Sequence, residues 1–141
     1  MKPIPFALSE SIEPDLAALH AYWNSLKRGQ AEMPFTDDVK LTAVPRPAST
    51  MLVDVLKRPT RFRFALVGED IRATYGSDLA GLLADEIDIR GPLDFFLSQC
   101  SASVEGRGAT HYAHDIYSRL VMPLWGDAHV NALLIGVSER R

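Results

Sequence analysis

The chain has 141 residues, a formal net charge of −3, 47% hydrophobic residues and 23% charged ones. That composition fits one globular domain, able to bury about two-thirds of its unfolded surface without disulfides or a structural metal. It carries no basic stripe for nucleic acid and no apolar run near the ~20 residues of a membrane-spanning helix, so neither partner nor membrane insertion is expected.

Residues 1–12 read as an extended segment ahead of one domain, 13–141. The pattern predicts a helix over 13–28, with Ser11 as cap, Pro14 and Asp15 in its first turn and Lys27 and Arg28 in its last. Leu16, Leu19, His20 and Trp23 recur at helical spacing and give it one apolar face. Residues 29–49 hold Pro34, Pro45 and Pro47 without a clear period and read as an irregular connection, with a helical turn near 37–41. The sheet and its covering helices are expected over 50–138. Met51–Leu56, rich in β-branched and apolar residues, and Arg61–Leu66, which alternates, read as strands, linked through Lys57-Arg58-Pro59-Thr60. Phe62, Phe64 and Leu66 then share one strand face, while Arg61 and Arg63 share the other.

Gly68 ends the second strand, and Glu69 and Asp70 open a short helix that Gly76 stops. A turn begins at Asp78-Leu79-Ala80-Gly81, and 82–86 has helical character. A longer helix is expected from Pro92 to about Ser103, presenting Leu93, Phe96, Leu97 and Cys100 on one face. Three strands follow, near 109–115, 117–125 and 129–138, the last two joined by a tight hairpin at Gly126-Asp127-Ala128-His129. Pro123 stands in the middle one, where a missing ladder donor calls for an edge or a bulge. Strands flanking clustered helices point to an α+β fold with an antiparallel sheet.

This order, two strands, short helices, a longer helix and three strands, resembles the PAS sensory fold, in particular small stand-alone bacterial PAS-like proteins. The residues that carry the resemblance are Tyr22-Trp23, Arg28-Gly29, Met33-Pro34, Arg61-Phe62-Arg63-Phe64, Leu66-Val67-Gly68, Ile71, Tyr75-Gly76, Asp78-Leu79 and Gly81. Pro123-Leu124, Gly126-Asp127 and the apolar run 130–137 complete it, so it spans about residues 16–137. It implies a five-stranded antiparallel sheet, an N-terminal helix, and short helices roofing one concave face. It also implies a signalling module that binds a small apolar ligand or a protein partner and acts through protein–protein contact, with homodimerisation. The cup walls would be Phe64, Leu66, Tyr75, Phe96, Cys100, Met122 and Leu133, a set that depends on strand phase because a one-residue slip exchanges the faces. Leu19, Tyr22 and Trp23 would dock on the outer face of the sheet or on a second copy.

The chemistry-bearing residues give little beyond this. His111 and His114, three apart on a strand, point to opposite faces and make a poor metal pair. Cys100 lies in Ser98-Gln99-Cys100-Ser101, unlike the reactive cysteine motif of flavin-binding PAS domains, and 92–104 lacks the histidine of haem-binding ones. Neither flavin nor haem is supported, and no other cofactor is evident. Arg61, Arg63 and Arg119 read as an outward row of paired charges in preference to an anion site. The alternative function is a small enzyme acting on an apolar ligand in the same cup, with Tyr75, His111 or Asp115 as acid or base. The lone cysteine suits a reducing compartment, and the start MKPIPFALSESIEPD lacks an export-signal core, so a cytoplasmic protein is expected.

Overall fold

A computed structural model of the chain describes residues 6–139. The part of the extended N-terminal reading that falls on residues 1–5 lies outside them. Helix α1 (Pro14–Ser25) starts with proline at its first position and Asp15 in its first turn, as expected. It buries Leu16, Leu19 and Trp23, a stripe at helical spacing. It is shorter than the sequence reading at its C-terminal end, and Ser11 does not cap it. Glu13 occupies the cap position, and Lys27 and Arg28 lie past the last turn. They are drawn elsewhere: the Lys27 ammonium sits 4.3 Å from the centre of the Trp23 ring, and Arg28 pairs with Asp38 at 2.6 Å. A single 3₁₀ turn at Thr36–Asp38 breaks the irregular connection, and another, Pro47–Ser49, leads into the sheet.

Five strands form one antiparallel sheet: β1 (Thr50–Leu56), β2 (Arg61–Val67), β3 (Thr110–Ala113), β4 (Tyr117–Gly126) and β5 (His129–Glu139). Their spatial order is β2-β1-β5-β4-β3, so the first and last strands lie side by side at the centre. The two hairpins, β1–β2 and β4–β5, form as expected. The β4–β5 turn places Asp127 and Ala128 at φ +53° and +66°, the left-handed pair that matches strand twist in a two-residue hairpin. Pro123 stands past the end of β3, which pairs only with 118–121 of β4, so it costs no ladder bond on that side. Its carbonyl accepts a hydrogen bond from the Trp23 indole at 2.9 Å, and the Trp125 N–H donates to the Pro34 carbonyl at 2.9 Å.

Between β2 and β3 the chain crosses the sheet through α2 (Glu69–Tyr75), a 3₁₀ turn at Ala84–Glu86 and α3 (Phe96–Gly106). Gly68 is required by contact, not by its dihedral angles: a Cβ there would overlap the carbonyl of Ala48. Gly76 takes φ +97° and ends α2 in the left-handed conformation predicted for it. Helix α3 begins four residues later than expected, because Phe95 sits at φ +56° and no right-handed helix runs through it. Pro92 belongs to the preceding loop. The architecture is thus the expected α+β fold, with a five-stranded antiparallel sheet and three helices, one of them N-terminal.

Candidate functional site

The pairing Leu120↔Gly136 fixes which way each side chain points. A Cβ on Gly136 would meet the side chains of Leu16 and Leu19, so this face carries α1. On the same face, by alternation, lie Met122, Ser118 and Ser138. The opposite face carries Arg119, Val121 and Leu133 and is covered by α3, whose Gln99 and Ser103 bond to the backbone carbonyls of Arg119 and Val121.

Four of the seven proposed cup residues come together on that second face or on the helix covering it. Phe64 stacks on Phe96 with centroids 5.4 Å apart, and Cys100 and Leu133 are fully buried. Tyr75 is buried on α2, with its hydroxyl donating to the Asp88 carbonyl at 2.7 Å and the Arg90 guanidinium 4.0 Å from its ring centre. Two residues are misplaced by the sequence reading. Leu66 is 50% exposed, because the β1–β2 register shifts between Leu52↔Leu66 and Val53↔Phe64 and leaves Ala65 as an extra residue. Met122 pairs with Leu134, not Leu133, and points to the α1 side. Phe64, Cys100 and Leu133 are each 0% exposed, so no water-sized space borders them. These walls touch side chains of the protein itself.

The main feature of the covered face that sequence reasoning missed is Arg119. Expected in an outward row, it is 0% exposed. Its Nε donates to Gln99 Oε1 at 2.7 Å, and its two terminal nitrogens donate to the carbonyls of Pro92 and Asp94 at 2.8 Å each. The rings of Phe96 and Tyr112 each lie 5.2 Å from the guanidinium. Burial pulls its pKa down, and nearby Cys100, Tyr117 and Tyr112 push the other way. Tyr117 donates to the Asp94 carboxylate at 2.7 Å and accepts from the Asp94 N–H at 3.0 Å, so residues 92–94 are tied to β4 at four points. The only sequence signal was phase: position 119 shares a face with Val121. Arg61 and Arg63 follow the prediction, pairing with Asp85, Glu86 and Asp54 near the surface.

Burial pushes the Cys100 thiol up to about 12, against the opposing pull of Arg119, so it is a neutral thiol at pH 7. Tyr75, His111 and Asp115 do not form one site: Tyr75 is on α2, His111 pairs with Leu120 on the α1 face, and Asp115 is exposed in the β3–β4 turn. His111 faces Glu13, with Nε2 3.6 Å from a carboxylate oxygen that also accepts the Ser118 hydroxyl. Among the described residues, no cluster of three or more His, Cys, Asp or Glu side chains could hold a metal. The residues proposed for an interface are engaged within the chain. Leu19 and Trp23 are buried against the sheet, and the Tyr22 hydroxyl bonds to the backbone of Lys40. Of the two docking alternatives, α1 takes the one on its own sheet, because its three apolar side chains are consumed there.

Open space lies elsewhere. A polar cleft of about 620 Å³ separates the start of α1 from α2 and the end of β5, with Glu13, Asp15, Arg46, Asp70 and Glu139 on its walls. Three smaller clefts, of about 240, 190 and 370 Å³, meet at Trp125. No helix among the described residues is long and apolar enough to cross a membrane. Compared with protein-family models, with curated proteins and with solved structures, the chain matches nothing.

Proposed function

We propose that the chain is a sensory or signalling module of the PAS kind, which receives a cue from a small molecule or a protein and passes it on through protein–protein contact. The observation that carries this reading is the crossing of residues 69–106 over one face of an antiparallel sheet whose first and last strands are central neighbours. The filled space behind Phe64, Cys100 and Leu133 favours signalling by surface contact over a ligand held deep in the cup. Self-association would use the β2 end of the outer face. There α1, which packs on β4 and β5, leaves Leu66 half exposed.

Native mass spectrometry of the full chain tests this at micromolar concentration. The expected result is a dimer carrying only the mass of two chains, shifted to monomer by Leu66→Asp, a change at an exposed position that leaves the core intact. A chain that stays monomeric throughout removes the self-association. A molecule bound to the parent chain and lost from a Phe96→Leu variant overturns the filled cup.

A further inference from the structure

The 240 Å³ cleft at Trp125 is small and unlike the other clefts in composition. Its walls are Ala31, Glu32, Met33, Phe35, Arg107 and Trp125. Met33 is buried and forms an apolar floor, and Phe35 is 40% exposed. The two aromatic residues are fixed through the backbone: Phe35 and Trp125 form a parallel bridge, and the Trp125 N–H donates to Pro34 at 2.9 Å. The Thr36 hydroxyl contacts the Trp125 carbonyl at 3.4 Å. A site held in this way loses little freedom when something enters it.

Two opposite charges border this apolar slot and do not neutralise each other. Arg107, at the left-handed C-terminal cap of α3, holds its guanidinium 5.3 Å from the Trp125 ring centre. Glu32 comes from the segment after α1. Among the described residues neither forms an ion pair. A slot with an apolar floor, aromatic walls, one free cation and one free anion is complementary to a molecule with one apolar group, one carboxylate and one ammonium. An apolar side chain presented from the middle of a partner protein offers neither terminal charge and would leave both Glu32 and Arg107 unused. At 240 Å³ the slot is also below the roughly 300–1,000 Å³ of drug-sized sites, which suits a single amino acid.

We infer that this cleft is a binding site for a free α-amino acid with an apolar side chain, its carboxylate toward Arg107, its ammonium toward Glu32 and its side chain between Phe35 and Trp125. The site lies outside the cup, and the assignment holds whatever the chain signals to.

Titration of the full chain with L-leucine, read by tryptophan emission, tests it. Trp23 is buried between α1 and the sheet, so Trp125 is the responsive indole. Saturation is expected at or below about 1 mM, with glycine, which lacks the apolar group, failing to compete. N-acetyl-L-leucine and L-leucinamide, each missing one charge, should bind about 10-fold more weakly. Arg107→Gln should weaken leucine and the acetylated form while leaving the amide unchanged, and Glu32→Gln should weaken leucine and the amide while leaving the acetylated form unchanged. Both positions are exposed, so neither change disturbs folding. No saturation below about 10 mM overturns the site, as does equal binding of leucine and its two capped forms, which would reduce the slot to an apolar patch.

Discussion

Arg119 puts a positive charge where a sheet interior has no water to solvate it, and no carboxylate among the described residues pairs with it. Three carbonyl-type oxygens and two aromatic faces do so instead. Removing it strands those oxygens, which is the expensive half of any buried polar contact. Arg119→Met should therefore lower stability by about 3 kcal/mol in urea unfolding and speed hydrogen exchange over residues 92–95. A loss under about 1 kcal/mol would mean that the guanidinium does not hold that loop. Glu13 makes the complementary case at the start of α1. Burial opposes its charge most strongly, but the Ser118 hydroxyl, its own backbone N–H and His111 together outweigh burial and hold its pKa below 4.5. A carboxylate lowered on folding stabilises above its unfolded value and loses that contribution as pH falls through the folded one. The stability of the parent chain should decline from pH 4.5 downward more steeply than that of Glu13→Gln, as measured by urea midpoints at a series of pH values. Parallel declines would show that Glu13 is not the group responsible.

Among the elements, the crossing from β2 into α2 depends on one close approach. The Ala48 carbonyl occupies the place where a side chain at 68 would begin, and it belongs to backbone that cannot rotate away. Gly68→Ala should cost about 1–3 kcal/mol, as overpacking does, and weaken the contact of α2 with the turn at Pro47–Ser49. Thermal melts of the two chains check this, and an unchanged midpoint would show that the turn yields freely. The sequence marked Gly68 but for another reason, since a break after an alternating strand reads as a turn whether the glycine serves dihedral freedom or contact. The same limit explains Leu66 and Met122. Alternation fixes Phe62 and Phe64 correctly, both buried, but the extra residue at Ala65 reverses phase within a single strand and leaves no compositional trace. Met122 and Leu133 are each apolar on strands buried on both faces, so neither strand reveals which face looks inward. Arg119 was misread for a related reason: the partners that make its burial tolerable, the carbonyls of Pro92 and Asp94, come from a loop whose path depends on Phe95 adopting a left-handed conformation.

For the whole molecule, element order and the two hairpins were legible because each rests on short-range patterns: short turns, a glycine-punctuated crossing and an amphipathic first helix; the pairing of the first strand with the last left no such pattern. Which surfaces remain free was not legible, since that depends on how the pieces cover one another. At the two margins of the sheet the chain covers part of its own edge. Along β2, the Phe64 N–H donates to the Leu82 carbonyl at 3.0 Å and the Gly81 N–H to the Phe64 carbonyl at 2.7 Å; beside β3, the His111 N–H donates to the Phe6 carbonyl at 2.9 Å. Each outer strand thus spends main-chain groups on a neighbouring stretch of its own polypeptide. Strangers seeking to add themselves rung by rung, the first step toward fibrillar deposits, meet a rung already taken on each flank, at Phe64 and at His111.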